Sequence, residues 1–292
     1  MTVRPEADPT YGRPAADGAS LREPIPVVEI MASGAGGGAQ VHVQSLVGRL
    51  DERFQVEVVS LSDGPAVRRL RAAGVSVHVI EAKDDSAALA ALVAQLRPRP
   101  PLVVHNHMFR AEVIGTRAAL ALAELGLPKP YVVGTVHSSR VRSAADRQLL
   151  RTLTRSMDRL IAVSRAIEAK LAAEGRTGPP VELIYNGVDL DRYAYQEACC
   201  TLPEEYGFPD GTPIVGVVAR LEPEKGHATL LEAWPSVLAR VPEARLLVVG
   251  EGSQRGQLEA LADELGLLGE ECAGDRCVGT RRARPGAKVL FT

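Results

Sequence analysis

The chain has 292 residues, 46% of them hydrophobic and 24% charged, which is enough for one large domain or two modest ones. A formal net charge of -2 and a pI near 6.3 exclude bulk attraction to nucleic acid, so any anionic partner must be held by a local site. No stretch approaches the roughly 18 consecutive apolar residues of a membrane span, so a cytoplasmic protein is expected, with peripheral contact at the inner membrane face left open.

Residues 1–26 are rich in Pro, Gly and Ala and lack the apolar core of a signal peptide, which predicts a disordered leader. From Val27 the chain alternates short Val/Ile runs with Ala/Leu/Arg-rich stretches of helical period. The runs are 27–33, 56–61, 76–82, 102–107, 131–137, 159–164 and 181–187. They are almost continuously apolar and separated by helices, which predicts an α/β fold with a seven-stranded parallel sheet covered on both faces. Ligands of such sheets bind beyond the carboxyl ends of the strands.

Several candidate residues fall at those ends. Gly36, Gly37 and Gly38 open the helix after the first run, where a bare backbone lets a phosphate come close. Gly34, Gly36 and Ala39 also satisfy the dinucleotide fingerprint, but the second run ends at Ser60 with no acid in place, which weakens that rival. His105 and His107 lie two apart at the end of the fourth run and therefore point to one side. A metal site there needs further ligands, and no nearby acid or thiol offers itself, so the expectation is no metal; a packed or hydrogen-bonded pair is the plainer reading. His137 ends the next run and joins the pair in an imidazole cluster, while Asn186, closing the seventh run, is a further cleft candidate.

Along the following helix Arg147, Arg151 and Arg155 recur every four residues opposite Leu149, Leu150, Leu153 and Met157. Either this is a solvated basic face on a core-packing helix, or it attracts anionic lipid or a phosphorylated acceptor.

The pattern breaks over residues 192–213, a candidate interdomain linker, and restarts with runs at 214–220, 244–250 and 288–292 and helices from about 227 to 241 and 254 to 267. Residues 212–292 supply 81 residues and three strands, where a Rossmann-like lobe needs on the order of 100–200 residues and at least five strands. The second lobe is therefore expected to be incomplete, with 269–287 as an aperiodic insertion. Cys199, Cys200, Cys272 and Cys277 have neither zinc-ribbon nor redox spacing and are expected to be free thiols. Arg220 and Lys225, just before a helix start, make a candidate anion site suited to a diphosphate, although taken alone solvent-exposed loop charges are the plainer reading. Gly250 and Gly252 follow the next run and permit close approach of a ligand.

Taken in order, GGAQVHVQSLVGRL, LVVHNH, GTVHS, DRLIAVSRAIEAKL, LIYNGVDLDRY, VGVVARLEPEKGHATLLEAW and ARLLVVGEGSQRGQLEALADELGL resemble the successive blocks of family 4 glycosyltransferases of the GT-B fold. The resemblance covers about Val27 to Leu267. It implies a retaining, metal-independent and cofactor-free transfer of a sugar from a nucleotide diphosphate donor to a lipid, glycan or small-molecule acceptor, between two Rossmann-like lobes. It also implies that Gly37 and Gly38 lie against the donor diphosphate, that Arg220 and Lys225 neutralise it, and that His137 stands near the transferred sugar. Gln40 occupies a position where many members have Glu, and the family's glutamate pair has no counterpart before Thr292; Glu251 and Glu259 have its spacing but sit in a different block. The expectation is a C-terminally truncated member that transfers no sugar by itself. A nucleotide-sugar epimerase of the same architecture and a non-catalytic nucleotide binder or degraded gene product are the alternatives.

Overall fold

A computed structural model describes residues 23–138, 142–191, 193, 205–269 and 286–292. All four cysteines, nearly all of the leader, most of the 269–287 segment and half of the 192–213 linker lie outside the described residues. Backbone contacts divide the chain into two compact units, Met1–Leu190 and Asp191–Thr292.

The first unit alternates strand and helix throughout. Its strands are β1 (Ile25–Met31), β2 (Phe54–Ser60), β3 (Val77–Val79), β4 (Val103–His107), β5 (Tyr131–Val136), β6 (Arg159–Ala162) and β7 (Val181–Leu183). Between them run α1 (Gly38–Val47), α2 (Pro65–Ala72), α3 (Asp85–Leu96), α4 (Phe109–Glu124), α5 (Ala144–Thr154) and α6 (Arg165–Ala173). The strands form one parallel sheet in the order β3-β2-β1-β4-β5-β6-β7, as the continuous apolar runs predicted. The strand order reverses between β1 and β4, which is where such a sheet opens a crevice.

Some boundaries differ from those expected. β1 starts at Ile25, so Pro26 lies inside the strand, opposite Gln55 of β2. Proline is tolerated there because its carbonyl, not the missing N–H, serves the ladder: Leu102 donates to it at 2.9 Å. β7 keeps only three of the seven residues of its run, and Ile184 and Tyr185 are exposed. Among the described residues it is an edge strand that pairs with β6 alone, without a second neighbour to extend it.

The two faces of the sheet are unlike. Val28 and Ile30 of β1 and Val104 of β4 face a buried cluster with Leu92, Ile114 and Leu122 from α3 and α4. On the opposite face Met31 packs with Val43 of α1 and Val67 and Leu70 of α2, and there the apolar contacts give way to polar side chains near the carboxyl ends of β1 and β4.

In α5 the arginines are used within the lobe. Arg151 donates to the Glu174 carbonyl at the end of α6 at 2.8 Å, and Arg147 to the Arg142 carbonyl at 2.6 Å. None of the described helices is long and apolar enough to cross a membrane.

The second unit contains β8 (Ile214–Val218), a 3-10 turn at Pro223–Lys225, α7 (His227–Leu238), β9 (Arg245–Val249), α8 (Arg255–Glu264) and β10 (Val289–Phe291). Its sheet is parallel, in the order β10-β9-β8, around Leu221, Leu231, Trp234, Leu246, Val248, Leu258 and Val289. Both helices stop about three residues earlier than their periodicity suggested. Pro242 cannot continue α7. Gly266, at φ 67, ends α8 with the Leu267 amide bonded back to the Ala262 carbonyl, a glycine C-cap.

A buried ion pair ties α4 to the segment after α6. The Arg176 guanidinium, 2% exposed, donates to the Glu112 carboxylate and, at 2.9 Å, to Thr154 Oγ1. Removing one partner strands the other charge in the interior. Glu112→Ala is therefore expected to destabilise the protein by about 3–5 kcal/mol, and Glu112→Leu combined with Arg176→Met to recover most of that loss. Denaturant unfolding of the variants checks this, and single and double changes of equal cost would remove the pair from its assigned role.

Candidate active site at the switch point of the first sheet

The central residue of the site is an acid in the middle of an apolar strand. Glu29 interrupts IPVVEIM and is 2% exposed. Parallel register sets it beside His105 of β4, with His107 one pleat further along the same face and Thr135 of β5 beside His107. Glu29 Oε1 lies 3.2 Å from His105 Nδ1, and Glu29 Oε2 lies 2.6 Å from His107 Nε2. His105 Nε2 is 2.7 Å from Thr135 Oγ1, and His107 Nδ1 is 3.1 Å from Nε2 of His137, the residue just past β5. The half-buried ring of His42, on α1, has its centroid 5.0 Å from that of His137 and 5.8 Å from that of His107. Four of the six histidines in the chain thus share one site.

The sequence offered no acid near His105 and His107, and that expectation is overturned. Glu29 is 76 residues away in the chain and arrives only because β1 and β4 are neighbours across the strand reversal. The available signal was a lone carboxylate within a buried apolar run. His42 was hidden for a different reason: it reads as an ordinary polar position on an amphipathic helix.

Donor and acceptor bookkeeping orders the protons. Burial alone would raise the Glu29 carboxyl, but the His105 charge, the hydrogen bonds from His105 and His107 and the charge of His107 outweigh it and hold the group far below the usual range. Glu29 therefore only accepts, and His107 donates to it from Nε2. Burial first, then the neighbouring His105, lowers His107 to about 4, so at neutral pH its ring keeps a lone pair on Nδ1. That lone pair accepts from His137 Nε2–H. His137 is lowered to about 3 by burial and then by His107, His42 and His105. Its remaining nitrogen, Nδ1, is an acceptor with no partner among the described residues. The chain Glu29, His107, His137 fixes the tautomer of each ring in turn.

The start of α1 borders this cluster. Gly37 is its N-cap; no side chain caps the helix, no acid lies in its first turn, and a Cβ on Gly36 or Gly38 would meet nothing within 4 Å. By contrast Asp84, Ser143 and Ser164 cap α3, α5 and α6. Free amides and the positive end of the dipole at α1 suit an anion. Gln40 is buried and donates to the Ser33 carbonyl at 3.0 Å, holding the loop after β1. Met108, between β4 and α4, has φ 73, the only positive φ outside glycine among the described residues. Strain of this kind gathers at functional sites. Gly34 answers to packing: a Cβ there would lie 2.6 Å from the Ser62 carbonyl oxygen.

The remaining sequence candidates fall elsewhere. Asn186 is exposed beyond β7, three strands from β4, and does not join His105 and His107. In the second unit Arg220 pairs with Glu224 at 2.9 Å, both largely exposed, a weak and easily opened contact. Lys225 sits on the turn that delivers the chain to α7, whose N-cap Gly226 is left-handed and, like Gly37, comes with no side-chain cap and no acid in the first turn. Gly250 and Gly252 have an internal reason to be glycine: a Cβ on either would run into the carbonyl of Ala219 or Leu221. The close approach they allow is that of the unit's own backbone. Glu251 and Glu259 are both held by Arg255.

The depressed imidazoles make stability depend on pH. Between the ordinary value of 6.5 and the folded values near 4 for His107 and 3 for His137, the unfolded chain binds protons that the folded chain does not. Their contribution is complete above pH 6.5 and is lost as pH falls, by up to about 1.4 kcal/mol per pH unit for each ring. Glu29 adds a further loss below about 4.5, its ordinary value. Denaturation midpoints should therefore drop steeply from pH 7 to pH 5, and less steeply in His137→Gln; equal midpoints at both pH values in the parent protein would show that the rings titrate normally.

Residues 36–192 match the family model described as Glycosyltransferase Family 4, and residues 201–270 the one described as Glycosyl transferases group 1. A GDP-mannose-dependent monoacylated alpha-(1-6)-phosphatidylinositol monomannoside mannosyltransferase of Corynebacterium glutamicum is 31% identical over 139 residues, 46% of this chain and 36% of that protein. The phosphatidyl-myo-inositol mannosyltransferase of Mycobacterium tuberculosis is 33% identical over 159 residues, 52% of this chain and 40% of its own length. The chain thus spans well under two thirds of these relatives. Among solved structures, Anabaena Alr3699/HepE in complex with UDP and glucose superposes with a TM-score of 0.73 at 18% identity, covering 91% of this chain and 68% of that one, which is a likeness of fold. With more than half of its residues matched by the first model, the chain belongs to glycosyltransferase family 4 and carries that family's GT-B type of α/β fold.

Proposed function

We propose that the protein works in a retaining, metal-independent sugar transfer from a nucleotide diphosphate donor, with no cofactor beyond the donor itself. The observation that carries this reading is the pairing, at one end of the first sheet, of the uncapped, acid-free start of α1 with the imidazole chain that ends at His137. Breaking a sugar–phosphate bond builds negative charge on the leaving diphosphate, and preorganised amide donors and cations stabilise that charge most in the transition state. In the first unit Gly37 and Gly38 offer amides for such a charge; in the second, Arg220 and Lys225, before the equally uncapped α7, offer cations. The pair between Arg220 and Glu224 is weak enough for a diphosphate to displace the carboxylate. His137, its tautomer set from Glu29 through His107, holds Nδ1 as a buried acceptor without a partner among the described residues, which a sugar hydroxyl entering the site would satisfy.

The relatives named as GDP-mannose-dependent and as acting on phosphatidylinositol mannosides support a hexose donor, GDP-mannose first, and a lipid acceptor before a glycan or small molecule. Membrane contact through the α5 arginines fits a lipid acceptor, although Arg147 and Arg151 already serve the lobe. Nucleic acid has no part in this reading.

Calorimetry of the 292-residue chain with GDP, UDP and ADP, and with GDP-mannose and UDP-glucose, tests the assignment. Arg220→Ala and Lys225→Ala are expected to weaken diphosphate binding tenfold or more, each removing a charge-assisted contact worth roughly 1.5–3 kcal/mol. His137→Ala should leave the free nucleotide within about twofold, since a free nucleotide lacks the transferred sugar that His137 is proposed to meet, and weaken the nucleotide-sugar by roughly fivefold or more. Where acceptor-dependent release of nucleoside diphosphate is measured, the same variants should lower kcat/KM. Unchanged nucleotide binding in both cation variants would reduce them to loop charges.

A further inference from the structure

We propose that His42, His107 and His137 form a binding site for a borderline divalent transition ion, Zn2+ or its Ni2+ and Co2+ analogues, with Glu29 as the carboxylate that orients one ligand from behind. The ligand-capable nitrogens of the three histidines all lie within 4.8 Å of one another. Two of them, His107 Nδ1 and His137 Nε2, are 3.1 Å apart. An ion at the usual 2.0–2.1 Å from both would subtend about 100° between them, close to the tetrahedral angle. A rotation of the His42 side chain brings in the third nitrogen, and its half-exposed ring leaves the fourth position to solvent water. This is the three-ligand, open-position arrangement of a zinc site.

The surroundings match as well. Metal-bound histidines characteristically donate their other N–H to a carboxylate, and His107 donates Nε2–H to Glu29 at 2.6 Å while Nδ1 faces the ion position. The ion replaces the proton shared by His137 and His107: His137 moves its proton from Nε2 to Nδ1, both facing nitrogens then present lone pairs, and no proton is released. Three neutral imidazoles select zinc, nickel, cobalt or copper over magnesium, calcium or manganese, which prefer oxygen. The ion takes no part in sugar transfer. By moving the His137 proton to Nδ1 it turns that atom from an acceptor into a donor and so removes the accepting contact proposed there for a sugar hydroxyl; this consequence alone rests on the function proposed above, and the site itself does not.

The test is calorimetric titration of the full chain with Zn2+, Ni2+ and Mg2+ at neutral pH, in the absence of any nucleotide. One saturable site for Zn2+ and Ni2+ and none for Mg2+ is expected. His42→Gln should weaken it at least tenfold, Glu29→Gln by roughly 10–100-fold, and His78→Gln, at a largely exposed histidine of β3, not at all. Because these changes lie in or beside buried structure, a measurement on the unaltered protein accompanies them: substoichiometric Ni2+ should broaden the imidazole C–H resonances of His42, His107 and His137 before those of His78 and His227. Co2+ should give visible ligand-field bands without a thiolate charge-transfer band, which separates the histidine site from one made by the four cysteines. Absence of saturable binding, affinity indifferent to both His42→Gln and Glu29→Gln, simultaneous broadening of all the histidines, or a thiolate band would each overturn the proposal.

Discussion

A carboxylate buried in the middle of β1 has to be compensated where it stands, and much of the first lobe's polar architecture follows from that requirement. Burying an ionised carboxylate costs several kcal/mol unless it is paired and hydrogen-bonded. Glu29 is compensated by two imidazole N–H groups that parallel register brings alongside, and each ring then passes the constraint outward, to Thr135 on one side and to His137 on the other. In the His107 ring, kept neutral by burial, Nε2–H is committed to Glu29 and Nδ1 can only accept. The buried acid thus sets the tautomer of the half-buried His137, two hydrogen bonds away.

The opposite face of the same strands makes this possible. Ile30, Val104 and Ile114 are almost fully buried among the side chains of α3 and α4, so the sheet has an apolar layer that contributes stability independently of the polar seam. Even there the fit is close: a Cβ on Gly115 of α4 would collide with the Asn106 side chain and lie 2.9 Å from Ile30 Cδ1. Two successive β4 residues therefore do different work, Asn106 against α4 and His107 against Glu29, which is the alternation of a strand used on both sides.

Helix starts show the same division between stability and chemistry. A good N-cap is worth about 1 kcal/mol. Helices α3, α5 and α6 have one, supplied by Asp84, Ser143 and Ser164, whereas α1, α2, α4, α7 and α8 have no side-chain cap, and α1, α2 and α7 begin on glycine. Of these three, α1 and α7 are the helices that follow the first strand of their unit, where their amides are donors for an outside anion.

The sequence by itself determined the alternation of strands and helices, the parallel sheet and the restart of the pattern beyond residue 213, because apolar periodicity is a local property that each element carries within itself. It also determined that His105 and His107 share a side, since two-residue spacing on a strand admits nothing else. Tertiary structure alone decided what those histidines meet. The order β1-β4-β5 joins residues 29, 105, 107, 135 and 137, and α1 adds residue 42; no spacing along the chain encodes these neighbours, because strand order is set by how the crossovers pack and not by any one segment. Likewise Gly250 and Gly252 look in sequence like room for a ligand, and only the adjacent carbonyls of Ala219 and Leu221 show that the room is already filled by backbone.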